Sequence, residues 1–404
     1  MQFKRLMECV CCGNTQLRSC LDLGNQPLAN NLLNHSNEPH DKFELKTQLC
    51  ETCWHMQLSI SVDPSLLFDN YLYVSGTSQT LRDYFDWFSS WCKQTWPTHV
   101  SVLDIACNDG SQLNSFKRQG YETLGVDPAR NLLHISSQNH KIWCAYFDDQ
   151  LVGRILPQQL DLIVAQNVVA HTADPLSFLQ SCKQLMHADS RLIIQTSQAH
   201  MVFNKEFDTI YHEHISFFTV RSMKTLVQRA GMCLVNVYET PVHGVSYVFE
   251  IAIASQPVSN VQSWLDIERL QGLTEYTTYE YWCNQSHMLL QQLAQVCEQH
   301  SQQGYEIWGL GAAAKGITML NAAQPNLTGV CDENPLKVGK YIPGVGVKIY
   351  SLTDLSNIDP NIPCLFVCMA WNYLEELTKK VKTYRYHPQD KIVTYFPEIK
   401  VSNL

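Results

Sequence analysis

Between Val100 and Thr196 the chain alternates short apolar runs with amphipathic stretches, and that alternation leaves few folds open. The runs "VSVLDIA", "YETLGVD", "KIWCAYF", "LDLIVAQ" and "SRLIIQT" have the length and composition of strands. Between them, "SQLNSFKRQ", "ARNLLHISSQ" and "DPLSFLQSCKQLM" carry the helical period. Strands that are apolar without interruption need cover on both faces. The pattern therefore predicts an α/β domain with a doubly wound, mostly parallel sheet.

Such sheets bind ligands beyond the carboxyl ends of their strands. The first strand runs into "LDIACNDGSQL", where Asp104, Asn108, Asp109 and Gly110 crowd a loop that opens a helix. No G-x-G-x-x-G is present, so a dinucleotide pyrophosphate is poorly served, and an acidic loop favours a cation instead. Asp127, after the second strand, stands where a carboxylate binds ribose hydroxyls. Asp148, after the third, reaches the same edge, where an adenine amino group could be read. S-adenosylmethionine (SAM) has a sulfonium, an amino group and two free ribose hydroxyls. A class I SAM-methyltransferase, Rossmann-like sheet is the expected fold.

Sixteen cysteines in 404 residues are mostly scattered singly through apolar segments, as buried reduced thiols would be. Cys9-x-x-Cys12 and Cys50-x-x-Cys53 differ, because two such knuckles can close a tetrahedral Zn²⁺ shell. Cys11 competes with Cys12 as ligand on spacing alone. A redox CxxC is disfavoured, since neither knuckle opens a helix after a strand. With 37 residues between Cys12 and Cys50, a loop containing "LGNQPLANNLLNHSNEP" must be inserted. Four cysteines leave no open coordination position, so the zinc is expected to be structural.

The net charge of −9 argues against a nucleic-acid partner. No apolar run approaches the roughly 18 residues of a membrane span. The N-terminus has no apolar signal core, and a cytoplasmic location is expected. Beyond a helical connector from about Ser263 to Gln302, "YEIWGLGAAAKGITML" reads as strand, glycine turn and helix. Gly309-x-Gly311-x-x-Ala314, with Asp332 after it, fits the loose dinucleotide fingerprint. Lys315 beside the helix start would equally hold the diphosphate of a nucleotide sugar. The expected domains are 1–60 (zinc-binding), 61–256 (methyltransferase) and 257–404 (C-terminal, Rossmann-like).

The ordered set of paired CxxC knuckles, "YLYVSGTS" (Tyr71–Ser78), "LDIACNDG", "NVVAH" (Asn167–His171), "FDTIYHEHISFF", "GLGAAAKGITMLN" (Gly309–Asn321) and "AWNY" (Ala370–Tyr373) resembles the sugar C-methyltransferases. Those enzymes act on nucleotide-linked deoxy-4-ketohexoses. The resemblance covers nearly the whole chain. It implies a zinc-binding domain, a SAM-dependent domain and a Rossmann-like C-terminal domain. It adds Ala106 and Asn167 to the cofactor contacts, and Tyr73, Ser75, Lys315 and Asn321 to the substrate side. It places catalysis at Glu213, His214, Tyr211, His171 and a tyrosine that is either Tyr71 or Tyr73. Two departures stand out: Ala106 where the family commonly has glycine, and "HGVS" (His243–Ser246) where it often reads His-Gly-Gly-Ser.

The "YHEH" run does not match the H-E-x-x-H spacing of a zinc hydrolase. Methylation beside a ketone needs removal of an α-proton, and histidine can take it near neutral pH. His214 is the expected base, with Glu213 orienting it and His171 and Tyr71 around the keto oxygen. His212 is expected to be structural, and Phe217 and Phe218 to be core. The competing readings are an NAD-dependent nucleotide-sugar oxidoreductase and a catalytically dead zinc-bearing scaffold.

Overall fold

In the computed structural model the described residues are 2–69, 74–77, 79–154, 159–196, 200–242, 245–257 and 259–404. The chain divides into two compact units, each discontinuous in sequence. Unit 1 takes Met1–Ser19, Gln48–Ala199 and Glu213–Glu275; unit 2 takes Cys20–Thr47, His200–His212 and Tyr276–Leu404.

The N-terminal strands are β1 (Phe3–Arg5), β2 (Leu17–Pro27), β3 (Lys42–Cys50), β4 (His55–Leu58) and β5 (Ile60–Val62), with a short α1 (Ser65–Phe68) and a long α2 (Gln79–Thr95) behind them. The insert between the cysteine knuckles holds more than the loop expected from its length. Most of it forms β2 and β3, and residues 20–47 belong to unit 2. There Leu33 and Tyr341 exchange both backbone hydrogen bonds, at 2.9 and 2.8 Å, and His40 Nε2 accepts the Gly344 N–H at 3.0 Å.

The sheet of unit 1 runs from β6 (Ser101–Ile105) through β7 (Glu122–Val126), β8 (Lys141–Trp143), β9 (Leu160–Gln166) and β10 (Met186–Thr196). A two-residue β11 (Ser216–Phe217) pairs elsewhere, and β12 (Cys233–Thr240) and β13 (Ser246–Ala252) complete the sheet. Its order is β12-β13-β10-β9-β6-β7-β8, with β13 antiparallel to both neighbours. Helices α3 (Ser111–Arg118), α4 (Leu133–Ser136), α5 (Asp149–Arg154), α6 (Pro175–Gln184), α7 (Val220–Arg229) and α8 (Val261–Leu270) provide cover. One apolar layer unites α6 and α7 with one face; the other joins α2 and α3 through Phe88 and Phe116. Local chemistry sets the helix starts. Asp174 accepts the Ser177 N–H ahead of Pro175, and Thr219 and Ser222 form a capping box on α7. The strand expected over "KIWCAYF" stops at Trp143, and the Asp148 carboxylate caps α5 by accepting the Leu151 N–H at 2.8 Å.

The single connector expected from Ser263 is two helices, α8 and α9 (Tyr276–Gln302). Gly272, at φ 75°, reverses the backbone between them. Unit 2 then builds β14 (Glu306–Leu310), α10 (Ala314–Ala323), β15 (Gly329–Cys331), β16 (Ile349–Tyr350), β17 (Cys364–Cys368), α11 (Leu374–Tyr384), β18 (Lys391–Thr394) and β19 (Lys400–Asn403). Its order is β16-β15-β14-β17-β18-β19, parallel except for β19. Among the described residues no helix is long and apolar enough to cross a membrane.

Candidate functional site

The chain leaves β6 for β7 on one side and reaches β9 on the other, which makes the β6–β9 crevice the topological switch point of unit 1. The loop there is tightly wound. Ala106, Asn108 and Gly110 all take left-handed conformations, at φ 61°, 52° and 79°. The Ala106 N–H reaches Val126 O at 2.7 Å, and the Asn108 N–H reaches Asp127 Oδ2 at 2.7 Å. Asp127 Oδ1 accepts from Ala129 N–H at 2.8 Å, so this carboxylate fastens the loop to the end of β7. Ser75 N–H donates to Asn108 Oδ1 at 3.0 Å, and Gly76 N–H to Asp109 Oδ2 at 2.9 Å. A side chain at Gly76 would collide with Ser111 and Asp109, so glycine is required for this docking.

Asp104, Asp109 and Asp127 are all buried around this loop, and among the described residues none of them is ion-paired. Burial first, then the charges of Asp127 and Asp109, pushes the Asp104 carboxyl well above the usual range; burial likewise raises Asp127. An added positive charge would relieve that repulsion. At the end of β9, Gln166 Nε2 and Asn167 Oδ1 are buried without a hydrogen-bond partner among the described residues. Asn167 itself is left-handed at φ 53°. A cationic ligand with hydroxyl and amino groups fits this donor set, as SAM requires.

One turn past β9, a 3₁₀ turn (Val169–His171) brings His171 to His214. Their rings meet edge-on, with centroids 4.8 Å apart, and Phe68 packs against His171 at 5.7 Å. The backbone around His214 is pinned from both sides. Ile215 N–H donates to Ala170 O at 2.7 Å, and Leu58 N–H donates to Ile215 O at 2.8 Å. Beyond that, β11 pairs antiparallel with β4, placing Ser216 opposite Gln57. Burial lowers His171 to about 4, so its imidazole is neutral at pH 7 and keeps one N–H donor. Glu213 and His214 are buried in unit 1; Tyr211, half-buried, falls in unit 2. His212 also falls in unit 2, with its Nε2 3.2 Å from Phe43 O. Phe217 and Phe218 are buried. Tyr71, Tyr73 and His243 lie outside the described residues.

The sulfurs of Cys9, Cys12, Cys50 and Cys53 all lie within 4.8 Å of one another. Cys12, and not Cys11, joins the group; Cys11 is fully buried and its carbonyl accepts from Arg229 at 2.6 Å. Four soft donors without an open position suit structural Zn²⁺. The cluster is stitched to the strand that backs His214. Gln57 Oε1 accepts the Val10 N–H at 2.9 Å, and His55 Nε2 lies 3.2 Å from Ser216 Oγ.

In unit 2 the glycine turn is filled by protein. A Cβ on Gly311 would sit 2.8 Å from the Ala370 Cβ, and one on Gly309 or Gly316 would press on Met369. These glycines are explained by close packing. Lys315, in the first turn of α10, lies over the Trp371 ring at 4.7 Å. Asn321 spends its amide N–H groups on Ile317 O and Pro343 O, which anchors the turn around Gly344. Sequence reasoning missed Asp208. This fully buried carboxylate accepts from Trp371 Nε1 at 2.9 Å and Tyr395 OH at 3.0 Å. Partners 163 and 187 residues away leave no local signal.

A sheet of this order, open at an acidic, unneutralised switch point, is the class I SAM-dependent methyltransferase architecture. Comparison with known proteins narrows this further. A zinc binding domain model matches residues 9–68, a methyltransferase domain model residues 67–237, and a C-methyltransferase C-terminal domain model residues 241–397. The chain is 27% identical over 391 residues to the C-methyltransferase NovU of Streptomyces niveus, covering 93% of this chain and 92% of NovU. The ubiquinone biosynthesis O-methyltransferase of Glaesserella parasuis serovar 5 is 32% identical over 106 residues, 24% of this chain and 44% of its own. Among solved structures, magnesium protoporphyrin IX methyltransferase from Synechocystis with bound SAM shares 13% identity over 43% of this chain and 79% of its own, at a TM-score of 0.33. The chain is a SAM-dependent C-methyltransferase with an N-terminal zinc-binding domain.

Proposed function

We propose that this enzyme methylates the carbon beside the ketone, C3, of a nucleotide-linked 4-keto-6-deoxyhexose, with His214 as general base. The observation that carries the reading is the His171–His214 pair, held 4.8 Å apart one turn from the cofactor crevice. When bound, SAM supplies an electrophilic methyl group. A ring nitrogen of His214 takes the α-proton, and Glu213 orients the imidazole. His171, neutral at pH 7, offers an N–H to the oxygen on which enolate charge develops. The resemblance adds Tyr71, Tyr211, Tyr73 and Ser75 as further candidates for the substrate side. Within unit 2, Lys315 in the first turn of α10 is the candidate for holding a diphosphate, and Asn321 holds the loop around Gly344. The competing NAD-dependent oxidoreductase is not favoured, because the chain is similar over nearly its whole length to a C-methyltransferase.

The test is α-proton exchange of a thymidine-diphosphate 4-keto-6-deoxyhexose in heavy water, followed by NMR. His214→Gln should slow exchange by about 10²-fold or more while S-adenosylhomocysteine affinity stays unchanged. Exchange at the wild-type rate would remove His214 from the role of base.

A further inference from the structure

Cys20 on β2 and Cys283 on α9 are 263 residues apart in sequence, yet their sulfurs lie 3.1 Å apart within unit 2. A disulfide needs an S–S distance of ~2.05 Å, so about 1 Å of closing motion separates this contact from a bond. Both thiols are half-buried, so a small reagent can reach them. Their situation differs from that of the other cysteines. Cys9, Cys12, Cys50 and Cys53 form the zinc cluster, and Cys92, Cys107, Cys182 and Cys297 are buried among apolar side chains. The hydrogen bond with Cys283 holds the Cys20 thiol below its ordinary range, helped by one from Thr47, whereas Cys283 is raised by the same contact. A thiolate beside a thiol is the arrangement from which exchange proceeds.

We propose that Cys20 and Cys283 form a thiol–disulfide modification site, oxidised by a low-molecular-weight disulfide of the glutathione class into a covalent tie between β2 and α9. The Cys20 thiolate attacks one sulfur of the oxidant, giving a mixed disulfide and releasing one small thiol. Cys283 loses its proton and attacks the Cys20 sulfur, which releases the second. One S–S bond breaks in the oxidant and one forms in the protein. Two electrons pass to the oxidant, and the two cysteine protons end on the released thiols. The tie fastens the insert between the zinc knuckles to the longest helix of unit 2, closing a very long loop in the unfolded chain.

The zinc-loaded protein is equilibrated in glutathione buffers of increasing oxidised fraction, alkylated, and mapped by mass spectrometry without reduction. The expected result is a Cys20–Cys283 linked peptide, zinc content unchanged, and a Tm several degrees higher than that of the reduced protein. Cys283→Ala should lose the linked peptide and accumulate glutathione on Cys20 instead. Absence of the linked peptide at every ratio, or links made chiefly to the zinc cysteines, would overturn the proposal. So would an unmodified Cys20 in Cys283→Ala.

Discussion

The two Rossmann-like sheets fasten their first loops in the same way, and their differences separate a cofactor site from a packed turn. In unit 1, Ala106 N–H bonds Val126 O and Asp127 takes one N–H from Asn108 and another from Ala129. In unit 2, Gly311 N–H bonds Cys331 O at 2.8 Å, and Asp332 takes N–H groups from Ala312 and Asn334 at 2.7 and 2.8 Å. The loop scaffold is therefore duplicated, but its charge is not. Lys337 stands 3.9 Å from Asp332 and donates to Ala312 O at 2.7 Å, whereas among the described residues Asp127 has no ion-pair partner and feels the charge of Asp109. A carboxylate left unneutralised at a switch point calls for a cation; one already paired by a lysine, under a turn filled by Ala370, serves the fold.

Asp127→Ala should break this contrast most severely. It removes the loop fastening and the carboxylate proposed for the ribose together, and S-adenosylhomocysteine binding measured by calorimetry should fall about 100-fold or more. Asp332→Ala should leave that affinity within about twofold and lower Tm instead; an equal loss in both variants would mean the second loop also binds cofactor. Zinc removal comes next, because the four-cysteine cluster lies in unit 1 and is tied to its candidate site. Stripping the metal with a chelator should lower Tm by about 10 °C and expose residues 1–60 to proteolysis. An unchanged Tm with zinc demonstrably gone would show that hydrophobic packing alone secures the knuckles.

Lys315→Ala should weaken a nucleoside diphosphate roughly tenfold by calorimetry and leave S-adenosylhomocysteine untouched; the reverse order would move the nucleotide side of the site elsewhere. The smallest effect concerns the matched loop positions. Ala106 carries a left-handed φ of 61° that glycine adopts freely, so Ala106→Gly should stabilise the protein by about 1 kcal/mol in urea unfolding. Gly311→Ala should destabilise it by more, since its new methyl would meet Ala370.

Much of the fold was legible because it is written in local pattern. Apolar runs of strand length, segments of helical period and paired CxxC knuckles announce themselves within a few residues. Legibility failed where distant segments compete for one backbone. The long insert between the knuckles reads as a loop, yet its Leu33 finds its pairing partner at Tyr341. Gly272 divides a helical pattern that otherwise reads as continuous. Asp148 could be placed near the cofactor edge from its position, but that its carboxylate caps α5 follows from the early end of β8.

The sequence by itself determined two Rossmann-like halves, a four-cysteine cluster and an acidic loop after the first strand, because periodicity, spacing and charge are properties of short segments. Only tertiary structure chose Cys12 over Cys11, brought His171 to His214 across 43 positions, and buried Asp208 between Trp371 and Tyr395. Each of those outcomes depends on backbone pairing and desolvation between distant segments, and no short window of residues encodes that energy.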